Sequence, residues 1–563
     1  MADNTRLNAN TTVGDLYASD DIGGVKHSRV KVEYGDDGSA TDVSETNPLP
    51  VMPIGTTHTG SQTNLQVNAE GSLDVHFGTS ASAFGDHISV KPDPRIQLMF
   101  PYSVDTANVT QFAVGTGTVA SNNSQLELST GTTTNSIAAV ASLDFMTYQP
   151  GFGATVRFTF GCTTAGDLSN TFQQIGIGTE EDGYFFSYEN NDMNILRRQG
   201  GLRDQIELII TTGASSSGNV AIELDGVTYN VAVTDSSVSG NFTAAEIAAS
   251  SALAPSAYIV TADGNAVSFQ SARTGPRTGT ISFSAGSTGS VGSISKKVSG
   301  VTTVDDLIPR TSWNIDQCDG TGPTLPLVDW SKGNVFQIRY QWLGYGAQSF
   351  YIENPNSSNL VLVHRILYSN KNTAPSVFNP SLRWVMNVNN ETTTDVTAFC
   401  ASVSGMIDGG QPSSQIGNRH ANSYSASVGN TDFDTIVNIC SPLSFKGKSN
   451  RTEVSLVRIG VTSSAAANIH IIKNPTGMGG TSDWTTIDAN TLLVFDQTST
   501  TITGGEIVWT ERAESKDRFV IEAQSSGYEQ IVKIYPGEVV SIAAQADTGS
   551  STINVALNWI EPV

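Results

Sequence analysis

Glu180, Glu181 and Asp182 form the densest acidic cluster of the chain. Carboxylates held ~5–10 Å apart can hydrolyse glycosidic bonds, and clustered carboxylates also suit hard cations such as calcium. Three adjacent residues point in different directions, however, and no carboxylates alternate along a strand around them. A solvated turn between two strands is therefore the expected role of this triplet. Asp316, Asp319, Gly320 and Gly322 in NIDQCDGTGP carry part of a calcium-loop pattern but lack its full ladder of ligands, so they read as a glycine-rich turn.

The seven histidines, His27, His58, His76, His87, His364, His420 and His470, are dispersed. A Ser/His/Asp triad can draw its members from distant positions, but no GxSxG elbow is present to supply the nucleophile. Gly176-Ile177-Gly178 and Gly477-Met478-Gly479-Gly480 do not join a strand to an amphipathic helix, so they read as tight turns with no nucleotide to hold. The four cysteines, Cys162, Cys318, Cys400 and Cys440, show no CxxC or CxxH spacing and read as reduced, buried thiols. No catalytic residue, cofactor or metal site follows from these patterns, and the chain is expected not to be an enzyme.

Aromatic residues are more telling. Trp330, Trp342, Tyr345, Tyr351, Tyr368 and Trp384 crowd into one stretch. Sugars bind by stacking on aromatic faces with a few polar groups alongside, which makes Trp330, Trp342, Tyr345, Tyr351 and Trp384 the candidate glycan contacts. The competing role is to fill the space between two sheets.

The elements that would position these residues are strands. Only 15% of the 563 residues are charged, and Ser, Thr, Asn and 53 glycines take their place, a mixture that favours pleated surfaces and turns. The net charge of −23 repels phosphate backbones, and no basic cluster interleaves with aromatics, so nucleic acid is excluded as a partner. The opening MADNTRLNANTTVGDLYASDD has no apolar core, and no run reaches the ~18–20 residues of a membrane span. Neither secretion by a signal peptide nor membrane insertion is expected.

Four segments are expected. Residues 1–82 read as an extended strand segment too polar for its own core, which gains order by adding strands to a partner. Residues 83–400 carry alternating strands such as Ala154–Phe160, Gly183–Tyr188 and Asn334–Trp342, spaced as in a two-layer antiparallel sandwich. Within them, 205–304 is poor in aromatics and reads as an inserted small β module. Its hairpin turns at Asp225-Gly226, and its one helix, Ala244–Ser251, opens on the capping box Thr243-Ala244-Ala245-Glu246. Residues 401–563 form a further meander ending in a packed strand, Ile553–Ile560. The fold class is all-β and multidomain: antiparallel, jelly-roll-like sandwiches with a one-helix insertion and an extended N-terminal segment.

Two resemblances add to this. GGVKHSRVKVEYGDDGSATDVSETNPLPV, Gly23–Val51, resembles the GVxxxRVKxxxGxDGSAxDVSxxNPLPV-like segment of tailed-bacteriophage structural proteins. The strands carrying GFGATVRFTF, IGIGTEEDGYFFSY and FQIRYQWLGYGAQSFYIEN resemble a concanavalin or laminin-G jelly roll. The first resemblance implies a virion structural protein assembled in a bacterial cytoplasm. It would be a homotrimeric tail fibre or appendage attached to other virion proteins through residues 23–82. A capsid-surface decoration or head fibre is the alternative, and a host-glycan adhesin is another. A depolymerising tailspike is disfavoured, because no internal repeat is present.

Overall fold

The computed structural model of the chain describes residues 93–322, 325–408, 417–516, 518–522 and 532–562, and before them only short strands between residues 5 and 64. Residues Met1–Thr79 and Ser80–Val563 are separate compact units. The first contains small antiparallel pairs: Thr5–Arg6 with Leu16–Tyr17, Ser19–Ile22 with Val25–Ser28, Glu33–Tyr34 with Thr41–Asp42, and Ile54–Thr56 with Gln62–Asn64. Of the Gly23–Val51 run only residues 23–28, Glu33–Tyr34 and Thr41–Asp42 are described, and the rest of it lies outside the described residues.

The second unit is all-β, as composition and alternation require. A seven-stranded antiparallel sheet is built from β1 (Val109–Val114), β2 (Ile137–Ser142), β3 (Thr171–Gly178), β4 (Gly183–Glu189), β5 (Asp192–Gln199), β6 (Val304–Pro309) and β7 (Arg383–Asn390). Its order is β1-β2-β7-β3-β4-β5-β6, so only β7 departs from chain order. A nine-stranded sheet containing Ala154–Cys162, Asn334–Tyr340, Gln348–Glu353 and Leu360–Ile366 faces it. Side chains of period two fill the gap: Ile175, Tyr184, Phe186, Trp384 and Met386 from the first sheet meet Val156, Phe158, Phe336 and Phe350 from the second. The Phe186 and Phe336 rings lie 4.7 Å apart. Each such side chain contributes roughly 1.5–3 kcal/mol by leaving water.

β5 and β6 pair with each other, although the chain between them builds two further sheets of four and three strands. The hairpin Gly218–Leu224 with Val227–Val233 turns at Asp225 (φ 55°) and Gly226 (φ 79°), the left-handed pair that a two-residue hairpin needs. The helix, α1, runs Gly240–Ala248 and so begins before the expected Ala244. Ser239 caps it by accepting from the Phe242 N–H, whereas both capping-box side chains are engaged elsewhere. Thr243 Oγ1 accepts from the Ala214 N–H, and Glu246 accepts from the Thr234 backbone.

The C-terminal residues form a second sandwich, a five-stranded sheet against an eight-stranded one. In its last strand, Ser551–Glu561, Ile553, Val555, Leu557 and Trp559 point inward and Thr552, Asn554 and Ala556 point outward.

Candidate functional site

The outer face of the seven-stranded sheet is where alternation leaves polar residues that are not solvated. In β7, Trp384, Met386 and Val388 enter the core, so Arg383, Val385, Asn387 and Asn389 project from the other face. Register then aligns one residue per strand into a row: Phe112 of β1, Ala139 of β2, Asn387 of β7, Gln174 of β3, Ser187 of β4 and Asn194 of β5. Gln174, Ser187, Asn194, Asn387 and Asn389 are all buried. Asn194 donates to three backbone carbonyls. By contrast Gln174 Oε1, Asn387 Oδ1 and both amide atoms of Asn389 have no hydrogen-bond partner. An unpaired buried polar atom costs about 1–3 kcal/mol, so four of them on one face is an unusual concentration.

Asn387 opens onto a cleft of about 260 Å³, close to the lower end of the ~300–1,000 Å³ range of ligand pockets. Its floor is β1, β2, β7 and the start of β3, and it includes the half-buried rings of Phe112 and Phe172. Its walls come from the insertion, through Ile259, Thr261 and Arg273, and from the C-terminal sandwich, through Leu443, Arg451 and Tyr535. At the end of the row Glu189 accepts from Ser187 Oγ at 2.7 Å, and burial raises its carboxyl above the usual carboxylate range.

Charge in the cleft is uneven. Glu181 and Asp182 are buried at 4% and 2% exposure, which corrects the solvated turn expected for this triplet. Arg451 from the C-terminal sandwich reaches both, at 2.8 Å and 3.0 Å, and Ser449 donates to Glu181 as well. Glu180 faces Arg198 at 3.7 Å, and Arg273 faces Glu391 at 3.6 Å. Arg203 and Arg383 make no ion pair among the described residues, although the Glu180 and Glu181 carboxylates act on Arg383 from a distance. Arg203 donates to Gln270 and the Ala272 carbonyl, while Arg383 donates to the Ser142 carbonyl and lies over the Phe145 ring. The Nε of each is unpaired. Burial, then the neighbouring Arg203 and Arg451 guanidiniums, pushes Arg383 down to about 10.

The aromatics singled out from sequence lie elsewhere. Trp384 is fully buried and Trp330 is 9% exposed, and both belong to the sandwich core. Their faces are covered by neighbours such as Phe100 and Phe336, so these two cannot stack on a sugar. Trp342 is half-buried, edge-on to Tyr148, and donates to the Val377 carbonyl. Tyr351 is half-buried on its strand. Tyr345 is the exposed member, at 38%, stacked on the buried Tyr368. The aromatics that line the cleft are Phe112, Phe145, Phe172 and Tyr535, of which Phe112 and Phe172 are the half-buried ones. Phe172 had a signal: it lies out of phase with Ile175 and Ile177, on the side of β3 that the core does not use.

Asp316 binds its own loop, accepting from the Cys318 and Leu325 N–H groups, and Asp319 accepts from Thr321. All four cysteines are free and buried, as expected. A second cavity, of about 600 Å³, separates the insertion from the C-terminal sandwich and is lined by Asp263, Glu207, Cys440 and Trp484. Burial, and after it the charge of Glu207, raises the Asp263 carboxyl to about 7.

No family model matches the sequence, and no curated protein matches it. Among solved structures the fold is similar to an endo-1,3-beta-glucanase from Streptomyces sioyaensis, at 8% identity and a TM-score of 0.28 over 56% of this chain and 96% of that one. It is similar to lectin I-B4 from Griffonia simplicifolia, at 11% identity and a TM-score of 0.22 over 55% and 99%. It is also similar to an endo-beta-1,4-glucuronan lyase from Trichoderma reesei, at 9% identity and a TM-score of 0.23 over 56% and 94%. At these values the likeness concerns the jelly-roll layering alone. Two of these neighbours are a glucanase and a lyase, which runs against the expectation that the chain is not an enzyme.

Proposed function

We propose that the protein is a glycan-binding adhesin whose site is the cleft on the outer face of the seven-stranded sheet. The observation that carries this reading is the unpartnered Asn387 amide oxygen lining the cleft with the Phe112 and Phe172 rings, in register with the unpartnered Gln174 and beside the unpartnered Asn389. Sugars offer hydroxyls in donor and acceptor pairs and apolar ring faces, so amides beside aromatics match both. Lectin-like neighbours are in keeping with it. The test is a glycan array with the full chain and with Asn387→Ala and Phe172→Ala. Binding that both substitutions reduce supports the cleft; binding indifferent to both overturns it. Mass analysis of the bound oligosaccharides registers any cleavage.

The Gly23–Val51 run supports a place for this adhesin on a tailed-phage particle, attached through residues 23–82 as a tail fibre or appendage, with a capsid decoration or head fibre as the alternative. Homotrimeric assembly would hide sheet edges such as Glu506–Ala513, whose Ile507 is 50% exposed. Gold labelling of tagged protein on intact particles tests the placement. Label at tail or head separates the two sites, and label on no particle overturns it.

A further inference from the structure

The proposed glycan site has a charge character that its fold does not impose. The whole chain carries −23, yet the cleft is lined by Arg203, Arg273, Arg383 and Arg451 against Glu180 and Glu181. Both acids are occupied: Glu181 by Arg451, Glu180 by Arg198 from outside the cleft. Arg273 is held by Glu391. The remaining cations, Arg203 and Arg383, have carbonyl, amide and aromatic neighbours but no ion-pair partner among the described residues; Glu180 and Glu181, each engaged by another arginine, act on Arg383 without pairing with it.

Partly burying a guanidinium without an anion is unfavourable, because its desolvation is not offset by a paired charge. In a chain with 53 acidic side chains against 30 basic ones, leaving two such groups together is the opposite of what random placement gives. Their fixed forks suit a planar carboxylate, which they bind in bidentate fashion. The excess positive charge at the cleft would also draw an anionic ligand through the negative field of the rest of the surface.

Resting on the glycan-binding reading, we infer that the cleft selects sugars bearing a carboxylate, and that Arg203 and Arg383 receive that group while Asn387 and the two phenylalanines hold the ring. Hexuronates and sialic acids share this chemistry. They differ in whether the carboxylate is attached to a non-anomeric ring carbon or to the anomeric carbon.

Two matched pairs of probes test it by calorimetry on the full chain: trigalacturonate against its methyl ester, and sialyllactose against lactose. The expected result is at least about a tenfold preference for the acid in one pair. That pair then names the source. The preference should shrink as salt rises and should be lost in Arg383→Gln and Arg203→Gln, while affinity for the neutral member is kept. Arg383→Lys retains the charge without the fork and should fall between the two. Binding of acid and neutral members alike would overturn the inference and leave the glycan reading standing. Binding of no probe would overturn the inference as well, and the glycan array then decides the glycan reading by itself. Retained affinity for the neutral member also guards against a variant that merely misfolds.

Discussion

Arg451 Nη2 lies 2.8 Å from Glu181 Oε2 and 3.0 Å from Asp182 Oδ2, joining residues 270 positions apart in the chain. All three side chains are buried, so this contact ties the C-terminal sandwich to the turn between β3 and β4 that borders the cleft. Removing one partner of a buried pair leaves the other charge without compensation. Arg451→Ala should cost about 3–5 kcal/mol in denaturant unfolding. It should also open the C-terminal sandwich to limited proteolysis before the first sandwich.

Asn387 and Gln174 face each other across β7 and β3 with acceptor atoms unpaired. Asn387→Ala removes one of these atoms without removing a hydrogen bond that the free protein uses. Its expected effect is about a fivefold loss of glycan affinity, one hydrogen bond's worth, with no loss of melting temperature. A large fall in stability instead would make the residue structural.

Trp384 and Tyr345 should behave oppositely. Trp384→Ala empties the centre of the first core and should cost about 3–5 kcal/mol. Tyr345→Ala, at the surface, should cost about 1 kcal/mol or less. Chemical denaturation of both variants reads the difference directly.

Asp263 gives the stability a pH dependence of definite sign. Its ordinary value is 3.8 and burial raises it to about 7 in the folded protein. The native state therefore holds this proton more tightly than the unfolded chain does. Stability contributed at this site falls as pH rises from about 4 to about 7 and is level above that. Asp263→Asn should raise the melting temperature at pH 8 and leave it nearly unchanged at pH 4. A larger gain at pH 4 would reverse the assignment.

Burial raises the thiols of Cys162, Cys318 and Cys400 above the ordinary range, and Cys440 well above it. Iodoacetamide should label none of the four in the native protein and all of them in denaturant. Labelling of Cys440 alone in the native state would mean that the cavity beside Asp263 opens.

Alternation such as that of Val156–Phe160 is legible in sequence because Val156, Phe158 and Phe160 enter the core while Arg157 and Thr159 do not. So is the Asp225-Gly226 hairpin, where backbone geometry restricts the residue type. The helix start is not: Thr243 and Glu246 have capping chemistry, but their partners, Ala214 and Thr234, are brought in by tertiary packing. The burial of the acidic triplet is hidden for the same reason, since its partner Arg451 lies 270 positions away from Glu181 in the chain. Composition marked a crowd of aromatics, and sandwiches spend most such residues on their cores. The row of amides arises only when β7 is slotted into register with β3, which no local pattern announces.

That slot has a consequence for how the protein is made. β7 lies between β2 and β3, yet it follows β6 in the chain, so the ribosome delivers the middle of the sheet last. Until residue 390 has emerged, β2 and β3 each present an open edge that should be covered. Nascent chains shorter than this would need chaperone protection or would pair with one another. Yield of the intact protein should therefore depend on growth temperature and translation speed far more than the stability of the finished fold would indicate.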